Sequence, residues 1–200
     1  QSQINPHFLF NTLNSINRTV MLGRREQALT MLDSLSVLLR YNLADAQMPA
    51  LLGEELGITE EYLKIQKVRF SSRLNVDVRH DRKLEQAVTL PRFTLQPLVE
   101  NAVIHGLEPK EEGGTLILDV RKTGNYIRIR ICDNGMGIEK ERLERIRTRL
   151  SEKQPERIGV WNIWQRLSLY TGRDDSLKIM SKKGAGTIVS IYLHRGEEDV

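Results

Sequence analysis

The stretch TLILDVRKTGNYIRIRICDNGMG, residues 115 to 137, holds two strand patterns, the turn that joins them and a glycine-rich exit. Thr115 to Arg121 and Tyr126 to Cys132 are rich in β-branched residues at a period of two, and Gly124-Asn125 has the composition of a two-residue hairpin loop. The second strand runs straight into Asp133-Asn134-Gly135-Met136-Gly137, which places a carboxylate at a strand end beside two flexible backbone positions. Downstream, residues 139 to 150 form a polar helix, Val160 to Tyr170 another, and Ser176 to Ser181 and Thr187 to Leu193 two closing strands. Upstream, Leu51 to Phe70 predicts a helix, Leu74 to Val78 a strand, and Pro91 precedes a helix running to about Gly106. Strands grouped with helices on one face predict an α+β fold, with an α/β sandwich as its main body.

The first fifty residues have a different rhythm. Leu9, Leu13, Ile16 and Val20 recur at helical intervals, and His7, Asn11, Asn14 and Arg18 form a second stripe about 200° away on the same helix, so His7 is expected to face away from the buried side. Gly23 ends this helix, and Ala28, Met31, Leu32, Leu35, Leu38, Leu39 and Leu43 mark a second one with a broad apolar face. The pair predicts an antiparallel helical hairpin over roughly residues 3 to 46, suited to pairing with a copy of itself. Asp45-Ala46-Gln47-Met48-Pro49 breaks the pattern and is the expected domain boundary.

Composition narrows the function classes. Thirty basic and twenty-six acidic residues among 200 leave a net charge of +4 without a polybasic run, which argues against nucleic acid as a partner. The single Cys132 forms no internal disulfide, no Cys/His group has zinc-ligand spacing, and a reducing compartment is expected. No apolar run approaches the ~20 residues that span a bilayer. Because the chain opens at Gln1 in mid-pattern, a piece of something longer is expected, with any membrane anchor upstream.

Three separated signals carry chemistry. In Glu100-Asn101-Ala102-Val103-Ile104-His105-Gly106, Asn101 and His105 are four apart on one helical face, so an amide oxygen and an imidazole point into one cavity or else simply decorate a helix end. An amide oxygen suits magnesium, a hard cation that takes few protein ligands. Asp133, with Gly135 and Gly137, either accepts the exocyclic amine of an adenine passing close to the backbone or caps a glycine-rich turn. Gly159-Val160-Trp161-Asn162 before a helix offers backbone N–H groups to phosphate oxygens, and Gly184-Ala185-Gly186-Thr187 before a strand brings a hydroxyl near the base. Neither the P-loop nor the dinucleotide fingerprint is present.

Asn101, Asp133-x-Gly135-x-Gly137, Gly159 and Gly186-Thr187, in that order, resemble the ATP-binding fold shared by gyrase, a heat-shock chaperone, mismatch-repair proteins and histidine kinases. The opening Gln3-Ile4-Asn5-Pro6-His7-Phe8-Leu9-Phe10-Asn11-Thr12-Leu13-Asn14 resembles the phosphoacceptor segment of the LytS/YesM-like sensor histidine kinases. Leu38-Leu39-Arg40-Tyr41, Tyr62-Leu63-Lys64-Ile65-Gln66 and Leu95-Gln96-Pro97-Leu98-Val99-Glu100-Asn101 share that resemblance, which covers nearly the whole chain. It implies a hairpin with a phosphoacceptor histidine over residues 1–48, an ATP-binding domain over 49–196 and a tail over 197–200. It also implies ATP and Mg2+ as ligands, a response regulator and a second copy as partners, and a place on the cytoplasmic side of a bacterial inner membrane.

The same resemblance implies that Asn101 holds magnesium, Asp133 reads adenine, Gly135 and Gly137 shape the pocket, and Gly159, Val160 and Asn162 belong to a lid over the phosphates. Gly186 and Thr187 would support the adenine end, and His105 would lie near the phosphates or cap its helix. Two positions depart from the pattern: Arg157 replaces a lid glycine, and Ile104 stands where many relatives have lysine. A free imidazole has a pKa of about 6.5, so a histidine nucleophile needs no strong base; Glu100 is the candidate for the released proton. Pro6 either opens the helix after an Asn5 cap, putting His7 in the first turn, or kinks a longer helix. Two rivals are an ATPase of the same fold, disfavoured by Pro97 where gyrase-like members place a base, and a nucleotide-binding dimerisation module without turnover.

The remaining residues have plainer readings. His80 and His194 are expected to be surface residues without partners, and Cys132 a buried filler beside Asp133. Trp161 and Trp164 are expected to pack, and Asn11 to sit on a helix surface or orient water. The charged helix over 139–150 is expected to be a solvated face.

Overall fold

The computed structural model describes residues 6–43, 48–153 and 159–194. Helices α1 (Pro6–Met21) and α2 (Arg25–Asn42) form the hairpin. Their link is set by Gly23 at φ 71°, where the Gly23 N–H donates to Val20 O at 2.9 Å and the Arg24 N–H to Thr19 O at 3.1 Å. These two bonds satisfy carbonyls that the end of α1 would otherwise leave open. Asn5 and Arg157 lie outside the described residues, so the cap and the lid departure assigned to them are not seen.

The apolar stripe of α1 is only partly buried, contrary to expectation. Thr12, Ile16 and Thr19 are buried and Phe8 and Leu9 half-buried, whereas Leu13 and Val20 are exposed, at 45% and 57%. The axis facing α2 and α3 is thus rotated from the leucine stripe, and Thr19 tolerates burial because its hydroxyl donates to Ser15 O at 2.7 Å. Phe10, Met21, Leu22, Leu29, Leu32 and Leu43 are exposed as well, leaving the hairpin with a large uncovered apolar surface.

Beyond the hairpin come β1 (Ala50–Leu51), α3 (Leu52–Phe70), β2 (Leu74–His80), α4 (Arg82–Ala87), β3 (Thr89–Leu90) and α5 (Leu95–Asn101). Strands β1 and β3 pair antiparallel as a small separate ladder. Helix α3 is apolar on several sides, with Leu52, Leu56, Ile58, Tyr62, Leu63 and Ile65 all buried, because α2 packs on one side of it and α5 on another. Helix α5 continues without a break into a π turn, Ala102–Leu107, which the sequence pattern does not announce.

The main sheet also contains β4 (Gly114–Thr123), β5 (Tyr126–Asp133), β6 (Leu177–Lys182) and β7 (Gly186–His194), in the order β2-β4-β5-β7-β6. Helices α6 (Lys140–Ser151) and α7 (Gly159–Thr171) lie between β5 and β6 in sequence. The β4–β5 hairpin closes at Thr123↔Tyr126 around Gly124 and Asn125, with Gly124 at φ 57°. Strand β2 pairs parallel to β4, in register Leu74↔Gly114, a connection that needs the α4–β3–α5 crossover. One sheet face sends Leu116, Leu118, Ile127, Ile129, Ile131 and Ile191 into the same core as Leu95, Leu98 and Val99 of α5 and Ile163, Trp164 and Leu167 of α7. This is the expected α+β architecture, helices layered on one face of a sheet.

Three minor expectations are corrected. Cys132 is half-buried on the opposite sheet face from the core, since it alternates with Ile131, and burial raises its thiol pKa. His80 is half-buried rather than on the surface, with its Nδ1 3.2 Å from Glu85 Oε1 but not hydrogen-bonded to it, because α4 folds back at the end of β2. His194 packs its ring on Tyr126 at 5.5 Å rather than standing alone.

Candidate functional site

A cavity of about 330 Å³ opens between α5 with its π turn, the start of α7, α6 and the ends of β5, β6 and β7. Its wall brings together Asn101, His105, Asp133, Gly137, Gly159, Val160 and Thr187, residues separated by up to 86 positions. Asn101 and His105 both reach it although the helix widens between them. The π turn swings the backbone of Gly106 towards the exit of β5, where Gly106 O accepts the Met136 N–H at 2.9 Å.

Asp133 is 9% exposed at the end of β5. Its Oδ1 accepts the Gly135 N–H at 2.9 Å, which fixes the carboxylate plane. Burial raises its pKa, while backbone N–H groups of Gly135 and Thr187 pull it back. A buried carboxylate without a cation partner is costly to keep ionised, so it is primed to accept hydrogen bonds from a ligand. On β7, Thr187 Oγ1 lies 2.9 Å from Ser181 Oγ, which also takes the Ile138 N–H at 2.9 Å and joins the loop after Asp133 to the β6–β7 turn.

Gly135 and Gly186 do not line the cavity but permit it. A Cβ at Gly135 would lie 2.1 Å from Gly106 O, and one at Gly186, whose φ is 102°, would lie 1.9 Å from Asp133 O. Any side chain at either place would drive the wall residues apart. Gly159 opens α7 next to Asn101: a Cβ there would lie 3.9 Å from the Asn101 amide nitrogen. The start of α7, where a helix has N–H groups without intrahelical acceptors, therefore lies beside the residue carrying an amide side chain. Asn162, one turn further on, is exposed and not on the wall.

Most of the rest of the wall is apolar, with Leu98, Ile131, Ile138, Ile146, Ile179 and Val189. Sequence reasoning missed these residues and Arg142, the one fully charged cation on the wall among the described residues. The helix holding Arg142 and Ile146 looked like a solvated face; their spacing of four, which puts both on one side, was the available signal. Trp161 and Trp164 pack as expected, with ring centroids 4.8 Å apart, and the Trp164 indole N–H donates to Asp174 O at 2.9 Å.

Neither His7 nor Glu100 lies on the cavity wall. His7 is exposed on α1, with the Asn11 amide nitrogen 3.2 Å from its Nε2. An amide N–H can be donated only to an unprotonated ring nitrogen, whose lone pair is the one a nucleophile uses. Glu100 is half-buried on the hairpin side of α5, where its charge helps to raise the pKa of the buried Tyr62 phenol behind the dominant effect of burial. The Tyr62 ring in turn packs on Phe8, the neighbour of His7, at 5.5 Å between centroids. Among the described residues no three His, Cys, Asp or Glu side chains cluster to hold a metal. Asn101 is the amide side chain on the cavity wall among the described residues, and an amide oxygen is a donor of the type magnesium accepts. No described helix is long and apolar enough to cross a membrane.

Comparison with known proteins gives this geometry a family. Residues 1–74 match the family described as histidine kinase, and residues 87–197 match the family described as histidine kinase-, DNA gyrase B-, and HSP90-like ATPase. Sensor histidine kinase YesM of Bacillus subtilis (strain 168) is 36% identical over 193 residues, covering 96% of this chain and 32% of its own. Sensor histidine kinase YpdA of Escherichia coli (strain K12) is 33% identical over 196 residues, covering 96% of this chain and 33% of its own. Sensor protein kinase HptS of Staphylococcus aureus (strain USA300) is 31% identical over 204 residues, covering 100% and 39%. The chain thus spans roughly a third of the length of these relatives. The fold is shared with the histidine kinase domain of the Erythrobacter litoralis EL346 blue-light activated histidine kinase, at 19% identity and a TM-score of 0.51 over 87% of this chain and 82% of that one. It is also shared with the catalytic domain of histidine kinase ThkA, at 14% identity and a TM-score of 0.53 over 74% and 95%. The chain belongs to the sensor histidine kinase family, and its cavity lies in the ATPase domain that this family shares with DNA gyrase B and HSP90.

Proposed function

We propose that this chain is the catalytic core of a sensor histidine kinase, which transfers the γ-phosphoryl group of ATP to His7 and from there to an aspartate of a response regulator. The observation that carries this reading is the joining, in one chain, of an exposed helical histidine with a cavity walled by Asn101, Asp133, Arg142, Gly159 and Thr187. We take residues 49–196 as the nucleotide-binding unit and the preceding hairpin as the acceptor.

Each wall residue then has a task. The Asp133 carboxylate accepts the adenine amine, the apolar residues flank the ring, and Thr187 supports the Asp133 end. Gly137 lets the backbone pass under the ring. Gly159 and Val160 direct backbone N–H groups at phosphate oxygens from the start of α7, where the helix dipole adds to the attraction. Arg142 and His105 complete the polar wall, and Asn101 holds magnesium. Bound magnesium supplies charge that offsets the developing charge on the phosphate oxygens.

The reaction is a displacement at phosphorus. A His7 ring nitrogen forms the P–N bond as the bond from the γ-phosphorus to the bridging oxygen breaks, and ADP departs with that electron pair. The proton of the imidazole passes to Glu100 or water. Because His7 is off the cavity wall, transfer requires a displacement of the hairpin or the cavity of a second protomer. The uncovered apolar surface of α1 and α2 supports pairing with a second copy. With relatives about three times its length, the chain is read as the cytoplasmic part of a membrane sensor. The test is incubation of the full-length protein with γ-labelled ATP beside His7→Gln and Asn101→Ala. Acid-labile, alkali-stable label in the unaltered protein alone supports the reading, and label surviving in His7→Gln defeats the acceptor assignment.

A further inference from the structure

Glu55 is 1% exposed on α3 and is not on the cavity wall, yet its carboxylate accepts four hydrogen bonds. Oε1 takes the Tyr41 hydroxyl at 2.6 Å and the Phe93 N–H at 2.7 Å; Oε2 takes the Thr94 and Leu95 N–H groups, both at 2.9 Å. Tyr41 belongs to the hairpin helix α2, whereas the three N–H groups open the helix that ends at Asn101. One buried carboxylate therefore ties the acceptor hairpin to the cavity wall.

The third element is α7. Phe93 sits in the left-handed region at φ 59°, a strained place for an aromatic residue. That turn aims its carbonyl at α7, where Arg166 Nη2 donates at 2.7 Å, and its ring meets Tyr41 edge-on at 5.2 Å. Burial depresses the Arg166 guanidinium pKa, and the Glu55 charge acts in the opposite direction. The Arg92 guanidinium covers the other part of the Tyr41 ring at 4.5 Å and reaches Glu54 at 3.8 Å. Arg166 stands about two turns along α7 from Gly159, roughly 10 Å. Helices α5 and α7 thus come close at the cavity, where Gly159 lies beside Asn101, and are hydrogen-bonded away from it through Phe93 and Arg166.

We propose that Glu55 is a positioning residue that couples hairpin to cavity: Tyr41 brings the position of α2 to its carboxylate, which sets the start of α5 and, through the Phe93 carbonyl and Arg166, the set of α7. The proposal rests on reading the cavity as the ATP site of a histidine kinase. A carboxylate that only capped α5 would need three N–H donors and no tyrosine. Burial and the Glu55 charge push the Tyr41 phenol well above its ordinary range, so it stays a donor throughout the working pH range.

The test is Tyr41→Phe in the full-length protein, which deletes one O–H and keeps the ring against Phe93 and Arg92. Affinity for a non-hydrolysable ATP analogue stays within about threefold, because the three N–H bonds persist, while the rate of His7 labelling at saturating ATP falls at least about tenfold. Equal labelling rates, or a loss matched by lost affinity or lost folded protein, overturn the coupling. Arg166→Lys supplies the second arm: combined with Tyr41→Phe, it gives a rate no slower than the worse single variant if both act through one node, and independent multiplication of the two losses refutes it. An unaltered protein that neither binds nucleotide nor labels His7 overturns the proposed function and the coupling together; labelling in it beside an equally fast Tyr41→Phe overturns the coupling alone.

Discussion

Asp133→Asn separates what the cavity does from what the fold needs. The substitution keeps shape and lets the new amide oxygen retain the Gly135 N–H, but it replaces the acceptor facing a ligand amine with an N–H group. A hydrogen bond to a charged group contributes about 1.5–3 kcal/mol. At 1.4 kcal/mol per tenfold, ATP-analogue affinity should fall about 10- to 150-fold. Stability should move little, for a reason with a definite sign. Burial raises the Asp133 pKa above the reference value of 3.8, so its contribution to stability is full below that value and is lost as pH rises through the folded pKa. At pH 7.5 the unaltered protein therefore holds an unfavourable charge that the Asn variant lacks, against which the variant loses the hydrogen bond from the Thr187 N–H, worth about 1 kcal/mol. The two melting temperatures without nucleotide should agree within about 4 °C, since about 1 kcal/mol shifts a chain of this size by 2–4 °C. As pH falls towards 4, the unaltered protein should gain on the variant. Calorimetric titration and thermal melts at pH 4 to 7.5 provide both readouts. Unchanged nucleotide affinity, or a loss of stability in the variant that is large at pH 7.5 and shrinks as pH falls towards 4, would refute the reasoning.

Other perturbations follow from the same geometry. Asn101→Ala should abolish the magnesium dependence of ATP-analogue binding, seen as equal affinities with the metal and with a chelator; a retained metal effect contradicts the assignment. Gly135→Ala must move Gly106 or the Asp133 exit, so it should lower stability by about 3 kcal/mol in urea unfolding and weaken nucleotide binding with it. Arg142→Ala should weaken binding of the triphosphate more than that of adenosine, with the difference shrinking at high salt. Replacing both Leu13 and Val20 by Glu should shift the full-length protein towards monomer in sedimentation, because both side chains are exposed on the hairpin; an unchanged association state would place the dimer contact elsewhere.

Much of the fold is legible in the sequence. The β4–β5 hairpin shows in its alternation and in Gly124-Asn125, because local turn chemistry and a period of two are sequence properties. The hairpin of α1 and α2 shows through Gly23 in the same way. The partial burial of α1 did not, since which face of a helix is covered depends on neighbours that the pattern does not name. The parallel pairing of β2 with β4 joins residues some forty positions apart and has no local signature. Glu55 was invisible for a related reason: beside Glu54 at a helix start it looks like a solvated acid, and only the arrival of residues 93 to 95 makes it a buried anchor. The wall residues Asn101, His105, Asp133, Gly159 and Thr187 were legible as motifs because each needs a particular side chain or a bare backbone. Arg142 and the isoleucines could be supplied by any exposed or apolar position, so only the fold distinguishes them.

The account stands most directly on the balance between ADP released and phosphoryl group found on His7. Mass spectrometry of the full-length protein after a brief pulse of ATP, under conditions that preserve phosphohistidine, should find one phosphoryl group on His7 for each ADP formed, and at least about tenfold less in Asp133→Asn at an ATP level well below saturation. Steady release of ADP with an unmodified His7 would make this cavity a hydrolytic one and contradict the assignment of the histidine as acceptor.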